Sequence, residues 1–232
     1  MSWEYAEINE IKDAINAGDK ALNLSKTINF KKGIAGAYLN IGIFYRNVEN
    51  FDMALFFDKK CLLLMKEIGD KRGESNCYLN IGLSYSQMGN YTEAIKHMNI
   101  GIRIKEEIND RKGASNGYNN LANVFQVQGN NTEALKFQLK ALKIREEIHF
   151  KVGLNASYNN IGNILAEMGK KEEALNYFFK GIKISEEIND KRGSGELYQN
   201  IGRIYAGELQ IKTAITYYLK ALKALEEAND KS

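Results

Sequence analysis

Residues 71–110, KRGESNCYLNIGLSYSQMGNYTEAIKHMNIGIRIKEEIND, hold two helical patterns divided by Gly89-Asn90. In the first, Tyr78, Ile81, Gly82 and Tyr85 fall at i, i+3, i+4 and i+7, the spacing of a helix with one buried face, called helix A below. In the second, Ala94, Ile95, Gly101, Ile102, Ile104 and Ile108 continue helical spacing over a longer helix B. Two such helices joined by a tight turn form an antiparallel hairpin. The hairpin then recurs. Tyr38, Tyr78, Tyr118, Tyr158 and Tyr198 stand 40 residues apart, as do Asn40, Asn80, Asn120, Asn160 and Asn200, and Ala54, Ala94, Ala134, Ala174 and Ala214. A period of this size marks a stacked array, in which each unit buries its apolar face only against a neighbour.

The punctuation between helices has a physical reading. Gly89, Gly129 and Gly169 stand where helix A must stop, and glycine takes the left-handed conformation that satisfies the last carbonyls. After helix B the same place is held by Gly69, Asn109, Asn189 and Asn229, each followed by an aspartate (Asp70, Asp110, Asp190, Asp230) able to cap the next helix A. The chain contains no proline. Small residues at Gly42, Gly82, Ala122, Gly162 and Gly202, opposite the alanine column, predict close approach of helices A and B. Glu49 and Leu209 replace the turn glycine in the first and last repeats, with Gly207 displaced by two positions, and His149-Phe150 replaces Asn-Asp at the third junction. Local irregularity is expected at these places.

Tyr38-x-x-Ile41-Gly42-x-x-Tyr45 followed by Ala54 resembles the tetratricopeptide repeat. The 40-residue period and the Glu-Glu-Ile-Asn-Asp-Lys-Arg-Gly junction are similar to the longer variant of Partner-of-Inscuteable and kinesin light chain, and to arrays in bacterial regulatory proteins. The resemblance implies an all-α, right-handed α-solenoid of antiparallel helix hairpins, with about eleven helices. Five repeats are expected at 31–70, 71–110, 111–150, 151–190 and 191–230, after an N-terminal half repeat at 1–30, all in a single domain. Trp3 and Tyr5 are expected to cover the first apolar end. The opposite end, with Leu219, Leu222 and Leu225, lacks a polar capping helix, which points to a fragment of a longer protein or to a homo-oligomer.

The resemblance also implies that helix A lines the concave groove with its second, fifth, sixth, ninth and twelfth positions. The sixth position is then Asn40, Asn80, Asn120, Asn160 and Asn200. The fifth supplies Asn119, Asn159 and Gln199, and the ninth Asn123, Asn163 and Arg203. Carboxamides offer donors and an acceptor, so this stripe suits the backbone of an extended peptide. A second reading stays open for the sixth position, in which each Asn bonds the adjacent helix and sets the register between repeats. Leu39, Leu79, Ile43 and Leu83 make the groove apolar in the first two repeats. The carboxylate clamp of chaperone-tail binders is not expected, because the second positions are Gly36, Asn76, Asn116, Ala156 and Glu196.

Charge and composition narrow the function classes. Thirty-two basic residues against 29 acidic ones give a net charge of +3, and the two signs are well mixed, which argues against nucleic acid. A basic doublet at Lys31-Lys32, Lys71-Arg72, Arg111-Lys112 and Lys191-Arg192 either attracts acidic partners or complements the C-terminal dipole of helix B. No apolar run suits a membrane span and no leader is evident, so a cytoplasmic protein is expected. His97 and His149 lack companions at ligand or catalytic spacing, no phosphate loop is present, and the repeated Glu-Glu pairs read as a solvated face. No catalytic residue, metal site or cofactor is expected. Cys61 and Cys77 read as small buried thiols of a reducing compartment. The expected function is a non-catalytic interaction scaffold holding a peptide or partner segment, the alternative a sensory or assembly module cut from a larger bacterial signalling protein.

Overall fold

The computed structural model describes residues 18–229, and every regular element among them is a helix. Residues 18–27 belong to α1. There follow α2 (Lys31–Asn47), α3 (Phe51–Glu67), α4 (Lys71–Gln87), α5 (Tyr91–Glu107), α6 (Arg111–Val127), α7 (Asn131–Glu147), α8 (Lys151–Glu167), α9 (Lys171–Glu187), α10 (Lys191–Gly207) and α11 (Ile211–Asn229). The even-numbered helices are helix A of each repeat, the odd-numbered ones helix B. Trp3, Tyr5, Ala14 and Asp230 lie outside the described residues. The chain divides into two compact units, Met1–Asn120 and Leu121–Ser232, the division falling inside α6. In the first unit α2 packs on α3, α3 on α4 and α4 on α5. In the second α7 packs on α8, α8 on α9, α9 on α10 and α10 on α11.

The two small-residue columns set the hairpin spacing. Ala54, Ala94, Ala134 and Ala174 are fully buried and Ala214 nearly so. A Cβ on Gly42 would come within 2.7 Å of Asp58 Oδ1, on Gly82 within 2.6 Å of Met98 Cγ, and on Gly202 within 2.8 Å of Tyr218 Cε1; on Gly162 it would strike the Phe178 ring. Each small residue of helix A thus faces the side chain one turn beyond the alanine column of helix B. That side chain is Asp58, Met98, Gln138, Phe178 and Tyr218 in successive repeats, so one architecture accepts very different groups in one slot. In the second unit the slot joins a core of Leu142, Leu154, Ile161, Leu165, Phe178, Ile182, Leu197 and Ile201.

Every interhelical turn that is described closes the same way. At the end of α3 the Gly69 N–H donates to Lys66 O (3.1 Å) and the Asp70 N–H to Met65 O (2.9 Å), the paired bonds of a Schellman motif. Asp70, Asp110 and Asp190 then accept from the N–H of Gly73, Gly113 and Gly193 at 2.8, 2.9 and 2.8 Å, capping α4, α6 and α10. The Gly73 bond, with Lys32 nearby, holds the Asp70 carboxyl below the ordinary carboxylate range. Helix B has caps of its own that the sequence reading missed: Asn50, Asn90 and Asn130 accept from Met53, Glu93 and Glu133.

The expected irregularities do not occur. Glu49, His149 and Leu209 take φ of 58°, 53° and 60°, and their turns keep both Schellman bonds, as in Phe150 N–H to Arg145 O at 2.9 Å and Gln210 N–H to Tyr205 O at 3.0 Å. The packed helices on either side impose the left-handed turn on these three residues as well, at a local backbone cost. Only the side-chain cap is lost at Phe150, whose ring instead lies against Gly153, as the Phe30 ring lies against Gly33. Two further expectations fail at the other end. Asn229, expected beyond the end of helix B, is instead the last residue of α11. Leu225 is not open with Leu219 (60% exposed) and Leu222 (54%), but packs on Gly195 of α10.

Leu209 holds its left-handed conformation while 83% exposed, so its side chain contributes little burial to offset the strain. Leu209→Gly is expected to stabilise the chain by about 1 kcal/mol, read as a rise in the urea midpoint at unchanged slope.

Candidate functional site

The outward residues of the A helices form clefts in both units, and their chemistry differs. In the first unit a cleft of about 240 Å³ is walled by Leu39 and Ile43 of α2, Leu79, Asn80 and Leu83 of α4, and Asn120 of α6. Its walls are the apolar residues that fill the fifth and ninth positions there, and Asn40 on α2 is exposed nearby in sequence. In the second unit a cleft of about 370 Å³ between α8 and α10 is lined by Asn155, Asn159, Asn160, Asp190, Arg192 and Glu196. A neighbouring one of about 290 Å³ is lined by Asn163, Glu167, Lys171 and Arg203.

The structure brings several of the expected site residues together. Asn200 Nδ2 donates to Asn159 Oδ1 at 2.8 Å, and Arg203 donates to Asn163 Oδ1 at 3.2 Å. Both bonds run between α8 and α10, so these carboxamides help hold adjacent A helices, and Asn159 and Asn163 also line the clefts. Asn123 accepts from the buried Gln138 of α7 at 3.4 Å. Gln199 is exposed, whereas Asn119, Asn120 and Asn160 are half-buried. Asn80 differs again: its carbonyl accepts from Arg46 at 3.1 Å.

That last contact belongs to a cluster the sequence reading overlooked. Arg46 of α2 donates to Asp58 Oδ2 of α3 at 3.0 Å and to Ser84 Oγ of α4 at 3.1 Å, as well as to Asn80 O. Asp58 is fully buried, and burial pushes its carboxyl up to about 6 against the pull of the Arg46 guanidinium. The pair ties three helices together beneath the first unit's cleft. An acidic residue in a column otherwise filled by Met98, Gln138, Phe178 and Tyr218 was the available signal.

The basic doublets are used mostly within the fold. Lys31 pairs with Glu67 (2.5 Å) and Lys191 with Glu227 (2.7 Å), while Lys32 and Arg72 reach the capping Asp70 and Asp110 at 3.5 and 3.8 Å; Lys151, which Val152 follows in place of a second basic residue, likewise pairs with Glu187 (3.2 Å). Exposed pairs of this kind are worth at most about 1 kcal/mol each, but they engage the charges that an acidic partner would need. Among the described residues no group of three or more His, Cys, Asp or Glu is placed to hold a metal ion, and no helix is long and apolar enough to cross a membrane.

An array of in-phase helix hairpins with a small-residue seam and a laterally exposed A-helix face defines a class of repeat protein. The tetratricopeptide repeat profile matches residues 33–107, 113–187 and 153–227, and the chain belongs to that family. No curated protein matches it in sequence. Solved structures share the fold at low identity. BtubC (BKLC) from P. vanneervenii is 14% identical with a TM-score of 0.82, over 94% of this chain and 92% of that one. A Rap protein complexed with competence and sporulation factor is 13% identical with a TM-score of 0.73, over 100% and 74%. The aspartyl phosphate phosphatase F of Bacillus subtilis is 15% identical with a TM-score of 0.69, over 90% and 68%.

Proposed function

We propose that the chain is a non-catalytic protein-interaction scaffold of the cytoplasm, which takes a peptide or partner segment on its A-helix face. The observation that carries the reading is the content of the clefts at α8 and α10. Asn159, Asn160 and Asn163 of α8 and Arg203 of α10 line two clefts with amide and guanidinium groups, a set that can donate to and accept from a peptide backbone and pair with a carboxylate. In the first unit the Leu39, Ile43, Leu79 and Leu83 walls suit apolar side chains. The Rap protein of the same fold, seen with competence and sporulation factor, supports this reading.

The carboxamides also bond one another between helices, so the test must separate binding from register. A random peptide library displayed on phage and selected on the immobilised chain supplies the probe. Asn163→Ala/Arg203→Glu is expected to weaken the selected peptide by about 2 kcal/mol, roughly 30-fold, with the urea midpoint nearly unchanged. A variant that binds as tightly as the parent, or that loses binding only in proportion to lost stability, assigns these residues to register alone.

A further inference from the structure

Cys61 of α3 and Cys77 of α4 face each other across the joint between the first and second repeats. Their Sγ atoms are 2.9 Å apart, and both residues are fully buried. They sit in an apolar cluster with Ala35 and Met65, against which Leu39 packs. In later repeats the same two places are held by Gly101 and Gly117, Ala141 and Ser157, and Gly181 and Leu197. The last of these pairs also meets across its joint: a Cβ on Gly181 would come within 2.9 Å of Leu197 Cδ1. Packing at the joint therefore asks only that one partner be small, and does not account for two thiols.

We propose that Cys61 and Cys77 are a redox pair, converted by a low-molecular-weight disulfide oxidant into an intramolecular disulfide that locks α3 to α4. One cysteine loses its proton and attacks the oxidant disulfide, giving a mixed disulfide and releasing one small thiolate. The second cysteine loses its proton and attacks the first protein sulfur, releasing the second small thiolate. Two protein thiols are thus oxidised by two electrons, the oxidant disulfide is reduced to two thiols, and the two protons pass to the departing thiolates. The sulfurs need to close by only about 1 Å to reach bonding distance. The facing Cys61 thiol and burial keep Cys77 protonated, so the pair is quiet in the closed joint and reacts when the joint opens locally. In a reducing compartment such a disulfide is transient, which suits a sensor better than a permanent staple. Its consequence is local. Asn76, Leu79 and Asn80, on the helix that carries Cys77, and Leu39, packed on the thiol cluster, line the first unit's cleft. The bond would fix those walls against each other.

The full chain incubated with oxidised glutathione is expected to lose the mass of two hydrogens and to yield a proteolytic peptide pair linked through Cys61 and Cys77. The thermal midpoint is expected to rise by roughly 5–10 °C and to return on adding dithiothreitol. Cys61→Ala and Cys77→Ala, each a residue the array already uses at the equivalent place in Ala141 and Ala37, should abolish both effects. Accumulation of a glutathione adduct without the internal bond overturns the proposal. So does oxidation only in urea-unfolded chain, or an internal bond that leaves the midpoint unmoved.

Discussion

Arg46→Ala is expected to lower stability by about 3–5 kcal/mol at pH 8, one of the two largest effects of any single substitution here. The loss comes less from the attraction removed than from what remains. Asp58 is fully buried and Arg46 largely so, and deleting the guanidinium leaves a carboxylate in the core with its main counter-charge gone, while Asn80 O and Ser84 Oγ lose their donor. The pH dependence identifies the cause. Asp58 titrates near 6 in the folded chain against an ordinary 3.8, so between those values the folded state binds more protons than the unfolded one. Its contribution to stability therefore rises as the pH falls through about 6 and levels off below 3.8. Without Arg46 the carboxyl moves higher still, and the penalty of the substitution shrinks at pH 5, where Asp58 is mostly neutral in both proteins. Urea unfolding at pH 5 and pH 8 measures both numbers. A penalty that is equal at the two pH values would mean that lost packing, not the buried charge, is responsible. Arg46→Leu/Asp58→Leu should recover most of the loss at pH 8, since no charge is then left in the core.

Phe178→Ala is expected to cost about 3–5 kcal/mol. Phe178 is fully buried, at the centre of the second unit's core, and its ring lies on Gly162. Removing it opens a cavity that the helical backbones on either side cannot close. The converse change fails for the converse reason: Gly162→Leu drives a side chain into the ring and should cost about 1–3 kcal/mol. The two positions are coupled. The third repeat places Ala122 opposite Gln138, both fully buried, so Gly162→Ala should be costly with Phe178 present and much cheaper beside Phe178→Gln. Additive losses across that double-mutant cycle would show that the two side chains do not share one slot.

Much of the fold is legible in one period of sequence, because a repeat states its rules five times. The alanine column, the small residue of helix A and the left-handed residue between helices each recur in register, so chance matches cancel and the hairpin geometry is over-determined. The departures misled for the same reason. Glu49, His149 and Leu209 break the local rule for a left-handed residue, yet the neighbouring turns and packed helices hold the backbone in place, and tertiary structure overrides local preference. The site was less legible. The Asn column places carboxamides on one face of the A helices, but whether Asn200 points at a ligand or at Asn159 depends on interhelical distances that no spacing reveals. Arg46 and Asp58 were hidden because their meaning lies in a partner twelve residues away and a further helix beyond it. The facing of Cys61 and Cys77 likewise required the joint between two repeats to be built.

The carboxamides of the A helices are expected to meet the ligand. The direct measurement is the nitrogen–proton spectrum of the Asn and Gln side-chain amides during titration with the library-selected peptide. Shifts are expected at Asn159, Asn160, Asn163, Gln199 and Asn200, while the exposed Asn176 on α9 stays in place. Shifts confined to Asn176 and its B-helix neighbours, with the A-helix amides unmoved, would contradict it.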